Sequence, residues 1–172
     1  LSLTQTEEVV TDLRATSPQE FRLACREGLY TDTTRGVAIG FLQCNLVILR
    51  QRYAYDFLLY CQRNPRACPV LEVCDTGNPE PRHLAPGADL RTDLPRYAVY
   101  RDGIREPDEI DVRHLWADDH VAFLIGSGIS FDYALEQAGV PTGLNRWVVR
   151  TSLPTEPAGS FHGPLIATMR WL

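Results

Sequence analysis

The alternation of apolar and polar positions predicts a chain of short helices and strands. Ser17-Pro18-Gln19-Glu20 combines a hydroxyl cap, a proline at the first helical position and a glutamate three residues after the cap, which predicts a helix start. We expect this helix to carry Phe21 and Ala24 on one face and to end at Gly28. A shorter helix over Glu7–Ala15, capped by Thr6, is predicted before it.

Further apolar runs predict strands and two more helices. Val37–Leu49 is too apolar for a surface strand and predicts a buried strand, or two short ones. Helices are expected over Ala54–Arg63, where Asn64-Pro65 ends the pattern, and over Phe131–Ala138. The expected strands are Tyr97–Arg101, a partner near Ile104 or Ile110–Val112 across an Asp102-Gly103 turn, Val121–Ile125, Trp147–Thr151 and Leu165–Trp171.

Residues 75–96 are rich in proline and glycine and predict a long structured loop. The mixture of helices and strands indicates an α/β (mixed α+β) fold of two small subdomains, with a mixed sheet flanked by helices. We expect residues 1–74 to form the helix and strand part, and residues 75–172 to form a loop-rich part that carries a Gly-Ser turn.

Composition excludes several classes of function. The chain has 172 residues, a net charge of −5 and 17 basic residues, all of them arginine. Without lysine there is no Schiff-base anchor for pyridoxal phosphate and no P-loop lysine, so any anion held by a cationic side chain is held by arginine. The acidic balance also argues against a nucleic-acid partner. We expect no cofactor.

The cysteines and the hydropathy pattern predict a cytoplasmic protein. Five cysteines without a C-x-x-C pair indicate a reducing compartment rather than a disulfide scaffold. No apolar run reaches the roughly 18 residues of a membrane-spanning helix, and no leader pattern is present, although the sequence begins at Leu1. We therefore expect a soluble chain without a membrane partner.

The strongest local motif is a strand followed by Gly126-Ser127-Gly128 and a helix start. Such a turn presents free main-chain N–H groups beside the positive end of a helix dipole, and Ser127 and Ser130 add hydroxyl groups. It predicts a site for a substrate carboxylate. The alternative is a tight turn in which Ser130 caps the helix. Ser127 does not lie in a G-x-S-x-G motif, which argues against a serine hydrolase.

A second candidate is the run from Asp89 to Tyr97. If this run is extended, Asp89, Arg91 and Asp93 lie on one face, where the arginine would receive a carboxylate and one aspartate would act as a general base. Tyr97 is a candidate proton donor. The alternative is a solvated edge of ion pairs.

Three further polar residues are candidates for substrate binding. Gln43 and Asn45 interrupt an apolar run, so each would bond either the backbone or a ligand if it is buried. Arg35 lies in the loop before that run and is a candidate contact for an anion, or an exposed loop arginine.

Metal binding is weakly indicated. His114 and His120 flank Asp118 and Asp119, but the spacing matches no compact ligand motif, and a charged helix start explains these residues better. Cys61, Cys68 and Cys74 are expected to be buried thiols rather than zinc ligands.

A set of short segments occurs in one order along the chain: Gly36 with Gln43–Leu49, Ala54–Phe57, Asn64-Pro65 with Cys68–Glu72, Asp89–Pro95 with Tyr97, Val99, Tyr100 and Gly103, Val121–Gly126, Ser130–Asp132, Ala158-Gly159 and Thr168–Arg170. In these segments, from about Arg35 to Arg170, the chain resembles the YcsI-like family of "putative hydro-lyases", which also includes the amino-terminal region of animal D-glutamate cyclase.

The resemblance implies a mixed α/β fold and removal of water from a small carboxylate or amino acid, with cyclisation of D-glutamate to 5-oxo-D-proline as the named family reaction. It also brings Arg170 into the set of substrate-binding residues. The chain departs from the family where Ser127 replaces a cysteine and Asp132 a glutamate. The family continues beyond the position of Leu172, so a truncated chain is expected.

Two main hypotheses follow. In the first, the chain is a lyase: Arg91 or Arg35 holds the substrate carboxylate, the turn that includes Gly126, Gly128 and Ser130 stabilises oxyanion charge, and Asp89 or Asp93 is the base. In the second, a truncated homologue binds a carboxylate or a partner chain without turnover, and exposed apolar surface is covered in a homodimer. A metal-assisted hydrolase using His114 and His120 is a third, weaker alternative.

Overall fold

The computed structural model describes residues 12–140, 148–153, 156–159, 161 and 165–170, with backbone alone at 132, 148–153 and 165–170. The chain divides into two compact units. Unit 1 comprises Leu1–Phe41 and Gly77–Asp118, and unit 2 comprises Leu42–Thr76 and Asp119–Leu172. Each unit therefore combines two separate stretches, whereas the sequence suggests one division at residue 74.

Helices and antiparallel sheets give the mixed α/β fold predicted from the sequence. In chain order the elements are α1 (Pro18–Arg26), β1 (Cys44–Arg50), α2 (Gln51–Arg63), β2 (Val70–Val73), β3 (Tyr100–Arg101), β4 (Ile104–Arg105), β5 (His120–Gly126), α3 (Asp132–Gln137), β6 (Val148–Leu153) and β7 (Leu165–Arg170), with 3-10 turns at Arg113–Leu115 and Gly128–Phe131.

In unit 1, α1 begins at the predicted capping box. The Ser17 hydroxyl accepts a hydrogen bond from the Glu20 N–H at 3.2 Å, and the Glu20 carboxylate accepts one from the Ser17 N–H at 3.0 Å. Ala24 and Cys25 form the buried side of this helix. The start and end of α1 predicted from the sequence are confirmed.

The second stretch of unit 1 begins with the predicted loop, because residues 77–96 contain no helix or strand. The β3–β4 hairpin follows, and Asp102 and Gly103 have φ values of 50° and 79°, which is the backbone of a tight hairpin turn. The predicted strand over Tyr97–Arg101 is shorter than expected. Tyr97 forms only an isolated bridge to Glu109, and the ladder begins at Tyr100.

Unit 2 contains a three-stranded antiparallel sheet in the order β1–β5–β2. The central strand β5 is buried from Val121 to Ile125, which explains its continuous apolar sequence. Helix α2 packs near this sheet, and the rings of Phe57 and Phe123 meet edge to face with centroids 4.9 Å apart. β6 and β7 pair with each other in a separate antiparallel ribbon.

The predicted strand over Val37–Leu49 is wrong in its first half. Residues 37–41 form turns and bends, residues 42–43 belong to no regular element, and the strand begins at Cys44. Ala38 has a φ of 46° and Gly40 a φ of 88°, and neither value is compatible with a strand. Val37 and Ala38 are buried all the same, which accounts for the apolar sequence of this stretch.

The remaining predicted elements agree with the structure where it describes them. The helix near Phe131 is α3, preceded by the 3-10 turn, and the two strands of the tail are β6 and β7, although Trp147 and Trp171 lie outside the described residues. Of the predicted helix over Glu7–Ala15, only residues 12–15 are described, and they form a turn. Among the described residues, none of the helices is both long enough and apolar enough to cross a bilayer.

Asn64, just beyond α2, clamps a distant segment of unit 2. Its Nδ2 donates to the carbonyls of Tyr60 at 2.7 Å and Glu156 at 2.9 Å, and its Oδ1 accepts from the Glu156 N–H at 2.8 Å. Gly159, in the same segment, packs so closely that a Cβ atom there would lie 1.9 Å from Oδ2 of Asp56. A side chain there would have to displace the Asp56 carboxylate, and the φ of 55° at Gly159 also favours glycine.

We predict that Asn64→Ala lowers the free energy of unfolding by about 2 kcal/mol, because two main-chain groups of Glu156 lose their buried partner. Urea denaturation followed by far-UV circular dichroism measures the change. Gln62→Ala, at an exposed position of the same helix, is the matched control. Equal stability of the two variants would contradict the role of the clamp.

Candidate functional site

Unit 1 contains a buried carboxylate, that of Asp93, whose side chain is 1% exposed. Each of its oxygens accepts two hydrogen bonds. Oδ1 accepts from Nε of Arg26 at 2.7 Å and from the Thr92 hydroxyl at 2.9 Å, and Oδ2 accepts from Nη2 of Arg26 at 2.7 Å and from the Asp89 N–H at 2.9 Å. With these four bonds Asp93 is a structural anion, and it offers no free oxygen to a substrate proton.

Arg91 is held by a single carboxylate, that of Asp89. The Arg91 side chain donates from Nε at 2.8 Å and from Nη2 at 2.8 Å, and its main-chain N–H donates at 3.0 Å. This differs from the predicted extended face, because the Thr92 and Asp93 N–H groups both bond the Asp89 carbonyl and make the run a tight turn. Asp93 therefore turns away from Arg91 and pairs with Arg26.

Burial of Asp89 opposes its ionisation, but the hydrogen bonds and charge of Arg91 outweigh that effect and lower the pKa of Asp89 below its usual value. A carboxylate with a lowered pKa is a weak base. The geometry therefore favours Asp89 as a brace that orients Arg91 over the predicted role as a general base.

The same arrangement occurs a second time nearby. Arg113 donates from its main-chain N–H, Nε and Nη2 to Asp111, the residue two positions before it, just as Arg91 does to Asp89. The Val112 N–H bonds the Arg91 carbonyl at 2.9 Å, which joins the two D-x-R segments. Unit 1 thus carries two adjacent guanidinium groups, each fixed by its own aspartate.

Tyr97 is 7% exposed and lies close enough to Asp93 and Asp89 for their charges to act on it. Burial raises the pKa of Tyr97 far above its ordinary value; the Leu94 main chain opposes this rise, and the charges of Asp93 and Asp89 add to it. Its hydroxyl has no hydrogen-bond partner of good geometry among the described residues. Tyr97 therefore stays protonated, but its burial leaves little room for the predicted contact with substrate.

Sequence reasoning missed the arginines of α1. Arg26 holds Asp93, and Arg22, one turn earlier, lines with it a pocket of about 160 Å³. The other residues that line this pocket are Gln19, Leu23, Pro86, Gly87 and Asp93. The spacing of Arg22 and Arg26 on one helix face was the available signal.

The Gly-Ser turn in unit 2 is more closed than predicted. The Ser127 N–H donates to the Gln43 carbonyl at 3.1 Å, and the Ser130 N–H donates to the Ser127 carbonyl at 3.2 Å. The Ser130 hydroxyl accepts from the Gln43 N–H at 2.8 Å and donates to its carbonyl at 3.2 Å. These bonds fasten the turn to the start of β1. The turn was expected to present free main-chain N–H groups, and those of Ser127 and Ser130 are not free.

Other candidates are distributed over both units. In unit 2, Gln43 is half-buried next to Ser127, Gly126 ends β5 and Gly128 is exposed. Asn45 is exposed on β1, so it is not the buried amide that was expected. In unit 1, Arg35 lies in a half-buried turn. Arg170 ends β7, and its side chain lies outside the described residues.

No group of three or more metal-ligating side chains comes together within the described residues, where His114, His120, Asp118 and Asp119 all lie. The five cysteines are free thiols, and all except Cys44 are buried. Burial raises the pKa of Cys61 to about 12 and that of Cys74 to about 11. These thiols are poor nucleophiles at neutral pH.

The chain is similar to curated proteins that share one name, "Putative hydro-lyase". It is 48% identical over 166 residues to one from Stutzerimonas stutzeri, 49% identical over 156 residues to one from Natranaerobius thermophilus, and 44% identical over 159 residues to one from Bacillus velezensis. These matches cover 94%, 88% and 90% of this chain, but 63%, 60% and 60% of the relatives. No family model matches the chain.

We predict that Arg26→Ala lowers the free energy of unfolding by about 2 kcal/mol, since the buried Asp93 carboxylate loses its cation. Arg101→Ala removes an arginine from an exposed pair with Glu106 and should change stability little. Urea denaturation measures both. If the two variants were equally stable, Asp93 would not depend on Arg26.

We also predict that the stability advantage of the wild type over Asp89→Asn depends on pH. Because the pKa of Asp89 is lowered in the folded state, the advantage is complete above the unfolded-state pKa of about 4 and is lost as the pH falls through the folded-state value. Urea denaturation from pH 7 to pH 2.5 tests this. A difference that stays constant over this range would contradict it.

Proposed function

We propose that this chain, given its similarity to proteins named "Putative hydro-lyase", binds a small carboxylate or amino acid for a dehydration reaction that needs no cofactor. The chain spans about three fifths of the length of these relatives, so the activity of the whole protein is part of the proposal.

The observation that carries the proposal is the braced side chain of Arg91. Asp89 occupies the Nε and Nη2 edge of the guanidinium, while the Arg91 side chain remains 32% exposed. A guanidinium fixed in this way keeps N–H donors on Nη1 for a second carboxylate, and little rotational freedom is lost when that carboxylate binds. Arg91 is thus a preorganised receptor for a carboxylate group.

In its more specific form, the proposal is cyclisation of D-glutamate to 5-oxo-D-proline. The amine attacks the side-chain carboxyl carbon, a C–N bond forms, and the C–O bond to the departing hydroxyl breaks, which releases one water. Arg91 would hold the α-carboxylate, which does not react, and so fix the amine near its target. The proposal assigns to Arg91 binding and orientation rather than proton transfer.

A second candidate function is carboxylate binding without turnover. It is favoured because Asp89 and Asp93, the carboxylates predicted to act as bases, are both engaged by arginines. Binding would then be observed without formation of 5-oxoproline. The cytoplasmic location and the homodimer expected from the sequence stay predictions under both functions.

We predict that D-glutamate raises the melting temperature of the wild-type chain and that Arg91→Ala weakens its binding roughly tenfold or more, because a charge-assisted pair of hydrogen bonds is lost. Thermal-shift titrations with D-glutamate, L-glutamate and 5-oxoproline measure affinity, and chromatography of the reaction mixture detects 5-oxo-D-proline.

Arg101→Ala is the matched control, since it removes the same charge from an exposed hairpin pair. Binding that survives in Arg91→Ala but is lost in Arg35→Ala would place the receptor at Arg35 instead. If none of the three acids binds the wild type, recognition of these acids at Arg91 is refuted. Binding without product favours the second function.

A further inference from the structure

The pocket beside α1 lies in unit 1, and two arginines contribute to its lining. Gln19, Arg22 and Arg26 follow one another along a single face of the helix, so their polar ends share one side of the pocket. Its opposite wall comes from the loop at Pro86 and Gly87.

The two arginines of this pocket differ in whether a carboxylate pairs with their charge. Arg26 is neutralised by Asp93, which is itself saturated with hydrogen bonds. Arg22 is half-buried, and it forms no hydrogen bond or ion pair with any described residue. The lining side chains therefore leave one uncompensated positive charge in the concavity.

This charge is unusual for its surroundings. The whole chain carries a net charge of −5, and two arginines at i and i+4 repel each other. A carboxylate close to the pocket, that of Glu80, is already bonded by the Gly87 N–H at 2.7 Å and does not line the pocket. An anion from solution would relieve the repulsion.

We propose that this pocket binds the carboxylate of a small organic acid, with Arg22 as its main contact. A guanidinium offers two parallel N–H donors that match the two oxygens of a carboxylate. Arg26 and Gln19 add further donors, and the side chains of Leu23 and Pro86 offer carbon surface to the carbon skeleton of an acid. An inorganic oxyanion has no such skeleton, so the apolar wall distinguishes the two.

The site is separate from the receptor at Arg91, although hydrogen bonds connect the two. Arg26 bonds the Asp93 carboxylate, the Asp93 carboxylate accepts from the Asp89 N–H, and the Asp89 carboxylate holds Arg91. The proposal stands independently of the dehydration reaction, because it concerns binding at Arg22 alone.

Propionate titrated into the ¹⁵N-labelled chain at constant ionic strength and pH 7 tests the site directly. The arginine Nε–H signal that disappears in Arg22→Gln identifies Arg22. We expect propionate to shift this signal in a saturable way in the wild type and in Arg91→Ala. By calorimetry in the Arg91→Ala background, where the receptor proposed at Arg91 is absent, we expect propionate to bind roughly tenfold more weakly once Arg22→Gln is added. Arg66→Ala, at an exposed position of unit 2, is the control for charge and should bind like the wild type.

Arg22→Gln retains the stem of the side chain and removes no ion pair, so we expect it to melt at the temperature of the wild type without ligand. An Arg22 signal that propionate leaves unmoved, or equal affinity in Arg22→Gln, overturns the proposal. Inorganic phosphate that shifts the signal at the same concentration as propionate overturns the assignment to organic acids. Failure of D-glutamate to bind through Arg91 would affect neither the proposed site at Arg22 nor its assignment to organic acids, so the two proposals fail separately.

Discussion

The organisation of unit 1 depends on the burial of one charged group, the Asp93 carboxylate. An ionised carboxylate taken out of water is very costly unless each oxygen is bonded and the charge is paired. Arg26 supplies the charge from α1, and Thr92 and the Asp89 N–H supply the other bonds from the loop. The position of the helix against the loop, the tight turn at Asp89 and the orientation of Arg91 all follow from satisfying this carboxylate.

The absence of lysine gives these contacts a common geometry. Arg26, Arg91 and Arg113 each bond one aspartate through the edge formed by Nε and Nη2. A lysine ammonium could supply the charge but not two parallel donors in a fixed plane. Because one edge of each guanidinium is used internally, its direction is set, and the remaining donors on Nη1 are available for other partners.

Features encoded by neighbouring residues could be predicted, whereas pairings across the chain could not. The capping box at Ser17, the hairpin turn at Asp102-Gly103 and the buried strand β5 each depend on residues within a few positions of one another. Asp93 and Arg26 are 67 positions apart, and the sequence marks neither as the partner of the other. Periodicity alone predicted that Asp93 lies on the same face as Arg91, because the run was assumed to be extended where the backbone makes a turn.

The interleaving of the two units affects the order in which they can be completed as the ribosome synthesises the chain. The peptide leaves unit 1 after Phe41 and returns to it only at Gly77. At roughly 5–20 residues per second, about 3–13 s separate the emergence of Arg26 from that of Asp93, 67 positions later. During this interval the nascent helix is without the counter-ion that anchors it. A fragment cut at residue 76 would contain one of the two stretches of each unit and complete neither.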